Sequence, residues 1–188
     1  MAAIEESRTV PLTAGEPGLH GVMVGMGWTV ARTGGPLAEP VSLAIVCGED
    51  GRALTPEHLV FFNQLATASP GIAFAFSGGA PPGDAEQVDV DFSQVPADVA
   101  RIVFVTYIDP EVRGPGTFAA VRDAYIRVAR PDGSEIARFD APRADVENTQ
   151  AVLFGELFRD AGEWAFRALG RGYENGLAGV GAEFGLDV

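Results

Sequence analysis

The chain has 188 residues, of which 47% are hydrophobic, and its net charge is −13. This length and apolar content predict a single folded domain over residues 1–188, with residues 1–9 forming a loose N-terminal tail. The acid excess repels phosphate backbones and so argues against nucleic-acid binding. No apolar run reaches the length of a membrane span, and the acidic N-terminus does not fit a signal peptide, so we expect a cytoplasmic protein.

The residue types that carry most enzymatic chemistry are scarce. All 13 basic residues are arginine, which excludes a P-loop lysine and a Schiff-base lysine. Only two histidines, His20 and His58, are present, and one cysteine, Cys47. These counts exclude an internal disulfide, a three-histidine zinc centre and a multi-cysteine zinc site. We therefore predict that the protein is not an enzyme and needs no organic cofactor.

Short apolar segments separated by glycine and proline run along the whole chain. This pattern predicts a mostly-β fold, a two-sheet β-sandwich with short helices. The run at 41–47 is apolar throughout and should be buried on both faces, whereas 87–92 alternates between apolar and polar residues. Strands are expected at 22–25, 41–47, 59–62, 72–76, 87–92, 102–108, 125–129, 135–139, 151–158 and 164–168.

Helical signals are weaker. Residues 94–100 suggest one turn between two strands, and residues 118–123 suggest a short helix. After residue 173, Leu177, Val180 and Phe184 recur at helical spacing, which predicts a C-terminal helical segment.

Carboxylates cluster where the alternating strand begins. Asp89 and Asp91 point away from the apolar face and should be solvated or paired with arginines. Asp84 and Glu86 alternate in phase with the apolar residues, so they should point to the core face at the start of this strand. Glu39 stands in a similar place before the 41–47 strand. Three carboxylates at the ends of two strands form a candidate cation site, because calcium prefers such oxygen ligands. A solvated loop is the other interpretation.

A few further residues have two interpretations. Trp28 and Trp164 could form a ligand platform, but tryptophans at such positions are more often core residues. The Asn63-Gln64 pair could donate oxygens to a cation or close a loop with hydrogen bonds. Arg159 and Glu163 flank a turn and are expected to pair across it.

Five stretches of the chain carry a recognisable pattern. They are GVMVGMGW (21–28), VFFNQL (60–65), GDAEQVDVDFSQVP (83–96), FAAVRDAYIRV (118–128) and FGELFRDAGEWAFRALGRGYENGL (154–177). Together they resemble the TerD family of bacterial tellurium-resistance and stress-response proteins. They stand in the family's order and cover the chain from about residue 10 to the end, and the stretch at 154–177 is the most specific.

The resemblance implies a β-sandwich that binds calcium through loops at one end and acts without catalysis in resistance to tellurite and other stresses. This chain departs from the family's calcium motifs in four places. The family's D-x-D motif is replaced here by Glu39-Pro40-Val41, and its Asp-Asn pair is replaced by Gly78-Gly79. The family's G-D-D-E motif is replaced by Gly83-Asp84-Ala85-Glu86, and Thr29 stands where the family has an aspartate after the stretch at 21–28.

These losses predict a degenerate calcium site with Glu39, Asp84 and Glu86 as the remaining candidate ligands and Ca²⁺ bound weakly or not at all. The resulting hypothesis is a stress-response module that acts through a protein partner or assembly. The alternative is a metal-free β-sandwich that binds a small molecule or a carbohydrate in a pocket among its end loops.

Overall fold

The computed structural model describes residues 8–31, 38–60, 69–75, 83–109 and 116–187. These residues form two antiparallel sheets, as predicted. One sheet contains β1 (Thr9–Pro11), β3 (Pro40–Cys47), β4 (Leu59–Val60), β7 (Arg101–Ile108), β10 (Ala151–Asp160) and β11 (Glu163–Tyr173). The other contains β2 (Gly21–Val30), β5 (Ile72–Ala75), β6 (Glu86–Asp91), β8 (Val121–Ala129) and β9 (Glu135–Asp140).

The strand orders are β1-β11-β10-β7-β3-β4 in the six-stranded sheet and β5-β6-β2-β8-β9 in the five-stranded sheet. The inner faces of the two sheets pack against each other through one apolar core, to which β2, β3, β7, β8 and β10 all contribute. Alternation along each strand places apolar residues on the inner face. The predicted two-sheet sandwich is therefore confirmed.

Helical structure is confined to two helices, α1 (Arg143–Val146) and α2 (Gly176–Phe184), and two 3-10 turns, Pro56–His58 and Phe118–Ala120, within the described residues. The predicted C-terminal helix is confirmed, with Val180 and Phe184 buried. The predicted helix at 118–123 is wrong beyond its first turn. Val121 already begins β8, whose hydrogen bonds to β2 and β9 favour the extended conformation.

The N-terminal boundary also differs from the prediction. Thr9 was expected to lie in a loose tail, but it begins β1 and pairs with Arg167 of β11. Residues 1–7 lie outside the described part of the chain. The predicted strands were otherwise found within the described residues, while residues 61–62 and 76 of two of them lie outside these. β2, β8 and β11 extend several residues beyond the predicted ends because their antiparallel partners continue.

A second apolar layer lies on the outer face of the six-stranded sheet. Leu43 and Ile45 of β3 face this layer together with Val103, and α2 covers them with Val180 and Phe184. The run at 41–47 is thus buried on both faces, as predicted. Cys47 ends this strand in full burial, and burial raises the pKa of its thiol to about 12.

A β-bulge in β10 changes which residues face outward. The pairing of β10 with both neighbours shifts between Leu153 and Gly155. Leu153 packs in the outer layer, whereas Leu157 packs in the inner core, so the extra residue reverses the parity between them. Glu156 consequently stands on the outer face, beside Val103 and Arg167 in the ladder. Among the described residues, no helix is long and apolar enough to cross a membrane.

Candidate functional site

Three connections meet at one end of the sandwich, which we call the acidic end. The β2–β3, β5–β6 and β7–β8 connections share this end, because Met26 pairs with Glu86, Val30 pairs with Val121, and Pro40 pairs with Ile108. The candidate ligands Glu39, Asp84 and Glu86 are all located here. The Gly78-Gly79 pair and the Asn63-Gln64 pair lie outside the described residues.

Glu86 is the first residue of β6, and its carboxylate reaches between the two sheets. Its Oε2 atom accepts a hydrogen bond from the backbone N–H of Ser42 at 2.6 Å. The Ser42 hydroxyl in turn lies 2.9 Å from the Thr106 hydroxyl, which forms a short polar chain inside the sandwich. Burial raises the pKa of Glu86 by disfavouring its charged form, and the hydrogen bond from Ser42 offsets this only partly.

Asp84 is engaged in a closed ion pair with Arg127 of β8. Arg127 donates from Nε to Oδ1 at 2.8 Å and from Nη2 to Oδ2 at 2.7 Å. The hydroxyl of Tyr125 donates to Oδ1 at 2.8 Å. The side chain of Asp84 is 1% exposed and that of Arg127 is 11% exposed. This two-pronged geometry neutralises the carboxylate and leaves it shielded from water.

Two glycines of β2 form the surface on which this pair lies. A Cβ at Gly25 would stand 2.2 Å from Oδ2 of Asp84, and one at Gly27 would stand 2.3 Å from the Tyr125 ring. Gly25 and Gly27 alternate with the core residues Val24 and Met26, so their open sides belong to the outer face of the five-stranded sheet. The missing side chains allow Asp84 and Tyr125 to pack directly on the backbone.

The parity assignment of Asp84 was therefore wrong. Asp84 and Glu86 were expected on the same face, but Asp84 lies on the outer face and Glu86 points between the sheets. The alternation rule holds only in extended backbone, and β6 begins at Glu86. Gly83, with φ of +111°, interrupts the extended conformation just before Asp84.

Glu39 is exposed, one residue before β3. Its backbone carbonyl accepts from the N–H of Asp109 at 3.0 Å. The structure thus places the three candidate acids in three different surroundings. Within the described ranges, no group of three or more His, Cys, Asp or Glu side chains is arranged to hold a metal ion.

The other polar predictions have mixed outcomes. Asp89 is exposed and Asp91 partly so, and both bind neighbouring polar groups rather than arginines. Trp164 is buried in the core, as predicted, and stacks on Phe92 with ring centroids 5.2 Å apart. Trp28 is partly buried and packs against the same core.

The predicted pairing of Arg159 with Glu163 was wrong. Arg159 instead donates to backbone carbonyls near the 94–100 turns, including that of Val99 at 2.9 Å. Its guanidinium also lies 4.5 Å from the ring of Trp164. Glu163 accepts from the hydroxyl of Thr13. Arg159 opposes Trp164 in the ladder, so its side chain extends over that ring instead of across the turn.

Sequence reasoning missed Arg127 and Tyr125, because their partner Asp84 is more than 40 residues distant in the chain and no local pattern links them. One signal was present, namely the two glycines at alternate positions of β2. Such spacing within a strand indicates close approach by another group.

The fold and these contacts define an all-β protein, a two-sheet antiparallel sandwich with buried acidic residues at the end shared by three connections. The TerD domain family matches residues 1–184, and the chain belongs to this family. The predicted family is therefore confirmed.

Two curated relatives match this chain over nearly its whole length. The chain is 34% identical to general stress protein 16U of Bacillus subtilis (strain 168), over 99% of this chain and 98% of that protein. It is 31% identical to tellurium resistance protein TerD of Serratia marcescens, over 99% of this chain and 98% of that protein. These relatives are named as resistance and stress proteins.

A solved structure shares the fold. It is the crystal structure of a homologue of telluride resistance protein (TerD) from Streptomyces coelicolor A3(2), with a TM-score of 0.64 and 22% sequence identity. The match covers 84% of this chain and 92% of that chain.

Proposed function

We propose that this TerD-family protein is a non-catalytic stress-response module of the cytoplasm whose ancestral calcium site is lost or strongly weakened. It acts by binding a protein partner or a stress-response assembly. Its relatives are named for tellurium resistance and for stress response, which supports this class of role.

The closed Asp84–Arg127 pair carries the calcium part of the proposal. Calcium binding needs six to eight oxygen atoms, several of them from ionised carboxylates. Both oxygens of Asp84 already accept hydrogen bonds from Arg127, so a cation would have to displace a guanidinium. Glu86 is partly buried and its pKa is raised, which also disfavours the ionised form that calcium requires.

A calcium titration followed by thermal unfolding tests this proposal. A ligand raises the melting temperature in proportion to its affinity for the native state. A site of three dispersed acids should bind at roughly millimolar concentration or weaker. We therefore expect millimolar calcium to shift the melting temperature of the parent protein very little.

A restored variant provides the positive control. The substitutions Val41→Asp, Gly78→Asp and Ala85→Asp rebuild the family's acidic pattern. Without calcium this variant should be less stable than the parent because like charges crowd one end, and with calcium it should gain stability. A large calcium-dependent rise in the melting temperature of the parent that Glu86→Gln abolishes would refute the proposal that the calcium site is lost.

The alternative function is small-molecule or carbohydrate binding in a pocket among the end loops. A glycan or metabolite screen by thermal shift distinguishes it, because a hit abolished by substitutions at the acidic end favours the pocket. If the protein is instead the proposed stress-response module, we expect its protein partner to remain bound in the presence of a calcium chelator.

A further inference from the structure

A cavity opens on the opposite side of the molecule from the Asp84–Arg127 pair. It has a volume of about 530 Å³ and lies between the outer face of the six-stranded sheet and the C-terminal end of α2. Three arginines line it, Arg101 from β7 and both Arg167 and Arg171 from β11. Its volume falls in the range of small-molecule sites. A chain with net charge −13 thus places three of its 13 basic residues around one cavity.

Glu156 holds two of these arginines in place. Its side chain is 2% exposed, and its Oε1 atom accepts from Nε of Arg167 at 2.9 Å. Its Oε2 atom lies 3.4 Å from Nη1 of Arg101. The guanidinium of Arg167 also lies 4.7 Å from the ring of Phe158. A buried carboxylate that fixes two arginines is how proteins preorganise cationic groups.

Arg101 retains hydrogen-bonding capacity that this arrangement does not use. Its guanidinium has five N–H donors. The contact with Glu156 is long, and the Nε atom is buried with no hydrogen-bond partner in the described part of the protein. A buried donor without a partner is costly, so an acceptor that entered the cavity and bonded Arg101 would be favoured.

The remaining charged groups at the cavity have partners of their own. Arg171 binds Glu183 of α2 and the hydroxyl of Tyr173. Asp50 accepts from the backbone N–H of Arg52 at 3.0 Å. The acids Asp50, Glu156 and Glu183 balance the three arginines in formal charge, so specificity must come from the geometry of the free donors rather than from a net positive field.

We propose that this cavity binds a small organic anion through a phosphate-like oxyanion group. The oxyanion accepts from Arg101 and competes with Glu183 for Arg171. An apolar wall formed by the partly exposed Leu169 beside Leu153 and Phe184 contacts the organic part of the ligand. Arginine is suited to this role because its planar donors match two oxygens of a phosphate group at once.

Isothermal titration calorimetry at low ionic strength tests the site with two probes, inorganic phosphate and phenyl phosphate. We expect both to bind and phenyl phosphate to bind more tightly, since only it can contact the apolar wall. Loss of one charge-assisted hydrogen bond in Arg101→Gln should weaken binding about ten- to a hundredfold. Glu183→Gln should tighten binding, because it removes the acid that competes for Arg171.

Arg130→Gln serves as the matched control. Arg130 pairs with Glu16 outside the cavity, and its side chain is 36% exposed, compared with 37% for Arg101. Arg171→Gln, at the rim, provides a second variant if Arg101→Gln unfolds. The proposal is overturned if neither probe binds, if Arg130→Gln weakens binding as much as the cavity variants do, or if Glu183→Gln weakens it. Tighter binding of inorganic phosphate than of phenyl phosphate would limit the site to a free inorganic anion and would refute the organic ligand.

Discussion

Two acidic side chains are buried on the two outer faces of the sandwich, and arginine neutralises each of them in a different way. Both oxygens of Asp84 are bonded by Arg127, which is itself 11% exposed, and Tyr125 adds a third hydrogen bond. Glu156 is equally buried, but its partners Arg101 and Arg167 are 37% and 35% exposed and border a cavity. A closed pair stabilises structure, whereas an open one presents donors to a ligand.

The difference originates in the backbone beneath each acid. Gly25 and Gly27 remove the side chains that would hold Asp84 away from the five-stranded sheet, so it packs against the backbone under Tyr125. At Glu156, the β10 bulge turns the side chain outward, where two arginines reach it and remain over one-third exposed. The acid–arginine cluster is therefore shielded from solvent at Asp84 and accessible to solvent at Glu156.

Removing the cation from the closed pair should have the largest effect. Arg127→Met leaves a carboxylate that is 1% exposed without a counter-charge, and such a loss costs about 3–5 kcal/mol of unfolding free energy. Urea unfolding measures it. The double variant Asp84→Asn/Arg127→Met should recover much of the loss, because no charge remains buried. Arg130→Met, which breaks a more exposed pair, should cost much less. Equal losses in Arg127→Met and Arg130→Met would show that the pair is not closed.

Filling the space under the closed pair should have the next largest effect. Gly25→Ala places a Cβ 2.2 Å from Asp84, which must shift, and overpacking of this kind costs about 1–3 kcal/mol. Gly18→Ala is the control, because a Cβ there meets nothing within 4 Å. Thermal and urea unfolding measure both variants. A Gly25→Ala protein as stable as Gly18→Ala would contradict the close packing of Asp84 on β2.

Neutralising the open cluster should cost less. Glu156→Gln leaves Arg101 and Arg167 without a carboxylate, but both are over one-third exposed and can be hydrated. We expect a loss of about 1 kcal/mol. Asp84→Asn, which leaves the mostly buried Arg127 unpaired, is the matched comparison and should lose more. The reverse order in urea unfolding would refute the distinction between the closed and the open cluster.

Glu86 supplies a third case, a partly buried acid that pairs with no arginine of the described residues, and its effect should be the smallest. Burial raises its pKa above the ordinary value of 4.5. The folded protein therefore holds this proton more tightly than the unfolded chain, and stability is lost as pH rises above about 4.5 towards the folded-state pKa. Glu86→Gln cannot titrate, so its stability relative to the parent should improve with rising pH. A difference between the two proteins that is independent of pH would contradict this.

The strands could be predicted because their signals are local. The alternation in β6, the Pro131-Asp132-Gly133 turn between β8 and β9, and the fully apolar β3 each express the geometry of their own segment. The spacing of Val180 and Phe184 likewise gave the C-terminal helix. Local patterns failed where hydrogen bonds to distant strands decided the outcome, as in the 118–123 segment.

The candidate site was less predictable, because its contacts join segments far apart in the chain. Parity could assign Glu86 to the interior, since Glu86 lies in a regular strand. It could not assign Asp84, which precedes the strand, or identify Arg127 as its partner. The cavity lined by Arg101 could not be foreseen either, because it depends on the β10 bulge and on where α2 ends.

Cys47, which is buried beneath α2, allows the conformational opening of the protein to be measured by thiol labelling. Only the thiolate reacts with disulfide and alkylating reagents, and a pKa of about 12 leaves about one molecule in a hundred thousand ionised at neutral pH. The native protein should therefore be almost inert to such reagents, and labelling should proceed through molecules in which α2 has detached or β3 has opened. Because the chain has a single cysteine, the labelling rate would report the frequency of that opening without any engineered probe.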